Sequence, residues 1–292
     1  MKIKVHVVSA FCKDNSGGNK AGVVLFNEEL TEEHKKKIAG ILGYSETVFV
    51  AQSQHADFKL EYFTPSEEVP LCGHATIATF ALMQSLDMLD KAEYTFETKA
   101  GVLTASIEDD KIFMEQTKPQ YLDILEKQEV LDCFDIDCIS GKYPIQIMST
   151  GLPDIMIPIK DEKMLNAMNP NFEAISEISR KRDCVGIHAF ALDGDRIICR
   201  NFAPLYDIPE ESATGTSNCA LACYLYKHKI MCKDVYVIEQ GYSLNSPSEI
   251  TVKLELDASA CTGTGEYADA GEIARVFVGG KGVVLEEMEI SI

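Results

Sequence analysis

The chain has 292 residues, 46% of them hydrophobic and 25% charged, the proportions of a globular protein with material for one large or two smaller cores. Its 27 basic and 46 acidic residues give a formal net charge of −19. Such a surface repels phosphate backbones and anionic lipid, which argues against nucleic-acid binding and membrane attachment, and it leaves room for an anionic small substrate, because a buried site makes its own local potential.

Ten cysteines are scattered without a CxxC pair, and the six histidines do not stand at metal-ligand spacings beside them. That pattern argues against a zinc site and for free thiols in a reducing cytoplasm. Residues 1–6 alternate like a strand with no apolar leader, and no apolar run approaches the ~20 residues of a membrane span.

In chain order, residues 2–11 alternate as a strand, 15–19 form a loop, and 23–26 read as a second strand. Thr31 is an N-cap for a helix through Leu42, with Gly43 as its stop. Strands follow at 47–51 and 57–63, then a buried helix over 73–86, then a meander at 94–98, 102–108 and 111–116. Farther on, 185–192 and 196–202 read as a strand pair, followed by an irregular acidic loop and a helix over 215–229. Strands at 235–240, 250–256, 273–278 and 282–289 close the chain.

The second part repeats the first. Phe63-Thr64-Pro65 recurs as Phe202-Ala203-Pro204, offset by 139 residues, and Gly73 recurs as Gly215, offset by 142. Each part runs strand, Phe-x-Pro, acidic loop, glycine, apolar helix. The expectation is an α+β protein of two pseudo-symmetric halves, each a mostly antiparallel sheet rolled around a central helix. The halves are residues 1–118 and 119–292, with the C-terminal strand able to cross into the first.

A helix that opens at a glycine presents unpaired N–H groups and the positive end of its dipole. Two such starts aimed into one cleft would hold a carboxylate or an enolate oxygen. Tight helix packing would explain Gly73 or Gly215 taken singly, whereas the repeated pair favours the ligand. His74, in the first turn, is placed to donate or accept a hydrogen bond, or is a packed structural histidine. Cys72 stands where a thiol can be acidic, or is a small buried hydrophobe. Glu46, at a strand mouth, suits a carboxylate that takes and returns a proton. A solvated strand-end glutamate is the alternative, as it is for Glu210 and Glu211.

Taken together, Gly18-Asn19, Ser45-Glu46-Thr47, Phe63-Thr64-Pro65, the run from Glu68 to Thr76 containing Cys72-Gly73-His74, Arg200-Asn201-Phe202-Ala203-Pro204, Glu210-Glu211-Ser212-Ala213-Thr214-Gly215-Thr216, Gln240-Gly241 and Val276-Phe277-Val278-Gly279-Gly280 resemble the phenazine-biosynthesis PhzF-like family across nearly the whole chain. The resemblance implies the diaminopimelate-epimerase-like fold, a homodimer, and isomerase chemistry with no cofactor and no metal. It implies Glu46 as the acid/base and Asn19, Gly73, His74, Glu211, Gly215 and Thr216 as substrate-binding residues. Related epimerases use two cysteines; Thr214 stands at the second position, so a two-thiol mechanism is not available.

The pattern departs from the family's at Lys20, where proline is usual, at Glu211-Ser212, where Asp-Pro is usual, and at Asn245-Ser246-Pro247-Ser248, where Gly-Arg-Pro-Ser is usual. The expected function is a proton-shifting isomerase of a small carboxylate-bearing, unsaturated or amino-acid-like metabolite. A catalytically weak member of the fold that binds a metabolite or a partner protein is the rival reading. A cysteine hydrolase using Cys72 and His74 is disfavoured, because residues two apart at a helix start rarely meet as nucleophile and base.

Overall fold

A computed structural model describes residues 1–27, 30–134, 136–257 and 271–292; Cys261 lies outside them. The chain forms two compact units, Met1–Glu115 with Gly279–Ile292, and Gln116–Val278. Among the described residues no helix is long and apolar enough to cross a membrane.

The first unit runs β1 (Lys2–Ala10), β2 (Asn19–Leu25), α1 (Glu32–Leu42), β3 (Thr47–Ala51), β4 (Phe58–Phe63), β5 (Glu68–Val69), α2 (Gly73–Ser85), β6 (Glu93–Thr98), β7 (Gly101–Glu108) and β8 (Lys111–Gln116). Thr31 Oγ1 accepts from the His34 N–H and the His34 ring accepts in return from the Thr31 N–H, while Gly43 closes α1 at φ 68°. That reciprocal cap is why α1 starts and stops where its sequence signals stand. β1 and β2 are antiparallel, β2 and β3 parallel, β3 and β4 antiparallel, β4 and β6 parallel, and β6 and β7 antiparallel. α2 is apolar on every side, buried from His74 to Met83, and packs on β1, β2 and β3.

The second unit runs β9 (Gln120–Leu125), β10 (Ile145–Ser149), β11 (Pro153–Pro158), α3 (Glu162–Ala167), α4 (Phe172–Arg182), β12 (Gly186–Asp193), β13 (Arg196–Ala203), β14 (Ile208–Glu211), α5 (Gly215–Lys227), β15 (Val235–Gln240), β16 (Ser248–Leu256) and β17 (Ile273–Gly280). Here β10 and β11 are antiparallel, β11 and β12 parallel, β12 and β13 antiparallel, β13 and β15 parallel, and β15 and β16 antiparallel. The order of pairing senses is the one found in the first unit. α5, buried from Ser217 to Tyr226, packs on β10, β11 and β16. The last strand, β18 (Gly282–Ser291), pairs antiparallel with β1 and packs on α2 in the first unit.

Two local expectations change. The acidic loop before α5 carries β14, because Arg200 on β13 binds Glu210 through two hydrogen bonds of 2.9 and 2.8 Å and draws that segment onto the strand. Residues 117–184 carry β9 to β11 and the two helices capped by Asp161 and Asn171, elements on which the sequence reading made no assignment.

Candidate active site

Glu46 sits between the αL stop of α1 and the first residue of β3. Its carbonyl accepts from the Gly22 N–H on β2 at 3.3 Å, which fixes the backbone where the parallel pairing of β2 and β3 begins. β4 lies antiparallel beside β3 with Phe63 opposite Thr47, and the chain then returns through β5 to the start of α2. This path brings Cys72 and His74 back to Glu46. His74 Nε2 is 3.4 Å from Glu46 Oε2, with 7% of the histidine side chain and 18% of the glutamate side chain exposed. Glu46 Oε2 is buried and has no hydrogen-bond partner; the imidazole stands beside it without the alignment of a hydrogen bond. Glu46 is therefore not a solvated strand-end residue.

Cys72 Sγ lies 3.4 Å from His74 Nδ1. The expectation that these neighbours would rarely meet is corrected: with Cys72 as the extended N-cap residue of α2, φ −139° and ψ 116°, its thiol reaches both nitrogens of the His74 ring, at 3.4 and 3.9 Å. The turn is held by the Thr76 hydroxyl, which donates to the Cys72 carbonyl at 2.8 Å and lies 2.6 Å from the Tyr62 hydroxyl. The ligand atoms of Glu46, Cys72 and His74 all lie within 4.8 Å of one another, a grouping that linear spacing of Cys and His did not suggest. A Cβ built on Gly73 meets no atom within 4 Å. No neighbour requires glycine there, so tight packing does not explain Gly73. Asn19 is buried at the start of β2 opposite Ala10, behind Gly18, whose φ of 82° and contact with the Ala10 carbonyl admit no side chain.

In the second unit Glu211, Thr214, Gly215 and Thr216 gather at the start of α5. Thr214 Oγ1 donates to Glu211 Oε2 at 2.8 Å. The buried Gln240 amide ties the segment together: its Nε2 donates to the Glu211 carbonyl at 2.7 Å, and its Oε1 accepts from the Thr214 N–H at 3.2 Å and from Asn218 at 2.8 Å. Thr216 Oγ1 donates to Gln116 at 3.2 Å, and the Thr216 carbonyl accepts from Thr150 at 3.0 Å. Glu211 is half-buried and Glu210 is paired, so neither is a solvated loop residue. Gly241 has φ 85°, and a Cβ on it would run into the Ser246 and Ser212 carbonyl oxygens. The two later departures from the family pattern, at Ser212 and Ser246, thus meet around one glycine.

A buried polar chain beneath α5 was not expected from the sequence. Ser217 donates to Asp154 at 2.5 Å, and Asn201 donates to Ser217 at 3.3 Å and to His188 Nδ1 at 3.2 Å. Burial pushes the Asp154 carboxyl up to about 6, aided by the Glu211 charge and opposed by the Ser217 hydrogen bond. Burial lowers the His188 imidazole to about 4. No spacing signal marks these residues, since they meet through the pairings of β11, β12 and β13. A surface cavity of about 480 Å³ is lined by Asp161, Glu162, Lys163, Asn166, Leu192 and Asp193, none of them a candidate.

The chain belongs to the phenazine biosynthesis-like protein family, whose profile matches residues 8–288. It is 34% identical over 275 residues to an uncharacterized isomerase of Clostridium acetobutylicum, covering 88% of this chain and 91% of that protein. It is 26% identical over 275 residues to the trans-2,3-dihydro-3-hydroxyanthranilate isomerase of Pseudomonas aeruginosa, covering 92% and 94%. The solved PhzF-family phenazine biosynthesis protein of Bacillus anthracis superposes with a TM-score of 0.88 at 28% identity over 100% of both chains. A hydroxyproline epimerase from Agrobacterium vitis, with a TM-score of 0.63 and 12% identity over 100% of this chain and 93% of that one, shares the fold alone. The chain is accordingly an enzyme of the isomerase class on a sheet-rich α+β fold.

Proposed function

We propose that this isomerase moves a proton, without a cofactor, on a small carboxylate-bearing metabolite that is unsaturated or amino-acid-like, with Glu46 as the general acid/base. The observation that carries the reading is the Glu46 carboxylate itself: one oxygen is buried and unpartnered, 3.4 Å from His74, at a helix start whose glycine faces open space. A positioned carboxylate of this kind takes a proton from one carbon and returns it to another. His74 orients the reacting group. The start of α2 at Gly73 and the start of α5 at Gly215 supply backbone N–H groups for carboxylate or enolate oxygen. Asn19, Glu211 and Thr216 complete substrate binding.

The departures from the family pattern at Ser212 and Ser246, which meet at Gly241 beside Glu211, favour a substrate other than trans-2,3-dihydro-3-hydroxyanthranilate. The same convergence is what favours the second reading, a metabolite-binding member with little turnover. The active form is a homodimer in the cytoplasm; exposed Leu122 and Ile124 on β9 are apolar surface that a second copy would cover. The test is a screen of small unsaturated acids and amino acids for enzyme-dependent deuterium uptake from D₂O, read by mass spectrometry. Uptake by at least one acid is expected. Acids that raise the melting temperature yet never exchange would replace the isomerase with the binder.

A further inference from the structure

We propose that Glu46, Cys72 and His74 form a site for a thiophilic divalent cation of the zinc class, and that the cation inhibits the enzyme when it binds. The site itself is independent of the proposed reaction, which contains no metal step; only the inhibition rests on that reading.

The three donors come from two places, the junction before β3 and the first turn of α2. With His74 Nε2 as the nitrogen donor, the separations are 3.4 Å to Glu46 Oε2 and 3.9 Å to Cys72 Sγ, and no pair in the cluster exceeds 4.8 Å. An ion bound tetrahedrally at roughly 2.0–2.3 Å holds its ligands roughly 3.3–3.6 Å apart. The nitrogen–oxygen pair already has that spacing, and the sulfur is a few tenths of an ångström outside it. The carboxylate closes the rest by turning about its terminal torsion, which is broad.

A second observation points to a positively charged occupant. Glu46 Oε2 is buried without a hydrogen-bond partner, and a buried acceptor in that condition costs free energy until something meets it. A dication meets it directly. The donor chemistry then selects which one: a thiolate and an imidazole with a single carboxylate suit zinc and its neighbours, whereas magnesium and calcium require several oxygen ligands. Thiolate and carboxylate together neutralise the dication, and the Cys72 proton leaves to solvent as the metal enters. The fourth position takes water. While the ion is bound, the Glu46 oxygen and the His74 nitrogen donate their lone pairs to it, so neither is available to carry a proton.

The probe is Co²⁺, added to the chelator-washed full chain and followed by absorbance. The expected result is one cobalt per chain, a thiolate-to-metal charge-transfer band, visible bands of tetrahedral intensity, and loss of both on adding zinc. Cys72→Ser removes the charge-transfer band. Glu46→Gln and His74→Gln weaken cobalt binding by more than about tenfold, since changes to groups that merely support a ligand already cost roughly 10–100-fold. Cys232→Ser, at an exposed thiol, changes nothing, and circular dichroism of each variant separates lost binding from lost folding. A charge-transfer band that survives in folded Cys72→Ser overturns the site, as does a wild type that binds no cobalt. For the inhibition, zinc abolishes deuterium exchange by the wild type and a chelator restores it; exchange that continues in the zinc-loaded protein overturns that half. Cobalt absorbance is read without turnover, so an enzyme that exchanges no acid leaves the evidence for the site intact.

Discussion

Asp154 and His188 are buried in the second unit at opposite ends of one hydrogen-bonded chain, and folding moves their proton affinities in opposite directions. The Asp154 carboxyl rises from 3.8 to about 6 and the His188 imidazole falls from 6.5 to about 4. For Asp154 the folded state binds the proton more tightly than the unfolded one, so its penalty is absent below about pH 4 and grows as pH rises to 6. For His188 the unfolded state binds the proton more tightly, so its penalty is absent above about pH 6.5 and grows as pH falls to 4. Each displacement corresponds to about 3 kcal/mol, and in the native chain the two slopes oppose each other. Asp154→Asn should therefore gain stability relative to wild type as pH rises from about 4 to 6, and His188→Gln should gain as pH falls from about 6.5 to 4. Urea denaturation across that range measures both. Difference curves that are flat for both variants would contradict the assignment.

At the scale of elements, the starts of α2 and α5 are built alike, each with an extended N-cap residue that makes no side-chain cap bond, while their glycines and the glycines around them do different work. Gly73 has open space where a Cβ would stand, whereas Gly241 is locked by its φ of 85° and by two carbonyl oxygens. Gly73→Ala should leave stability within about 1 kcal/mol of wild type while lowering turnover, because its methyl enters ligand space. Gly241→Ala should lose more than about 1 kcal/mol, since alanine fits neither the backbone nor the space. Denaturant midpoints with exchange rates on the same samples check both; unchanged turnover in Gly73→Ala would return that glycine to the scaffold. These elements also mark what the sequence made legible. α1 was readable because its N-cap Thr31 and its stop Gly43 act locally, and α2 and α5 because an apolar run opening at glycine allows little else; the return bond to the His34 ring was not read. The site was half-legible. Glu46 and His74 were nameable from motifs, but that Cys72 joins them depends on the β3–β4 pairing and an N-cap torsion. Asp154 and His188 carried no signal, being brought together by strand register across β11 to β13 and by Ser217 on α5.

For the molecule as a whole, the charge of −19 and the positive ends of single helices act over different distances. The net charge sets the field at long range, and a helix start acts within its first turn. Duplex DNA should therefore show no binding in fluorescence anisotropy at physiological salt, whatever the local potential at α2 or α5; salt-sensitive binding would overturn the metabolic reading. The central claim is that a small acid is isomerised through Glu46, and one comparison tests it most directly. On an acid found to exchange, Glu46→Gln keeps the size and most hydrogen bonding of the side chain but cannot carry the proton, so its exchange rate should fall by ~10²–10⁴-fold with binding retained, while Glu46→Asp, set back by one methylene, keeps part of the rate. Exchange by Glu46→Gln at the wild-type rate would contradict the account and move the proton to another group.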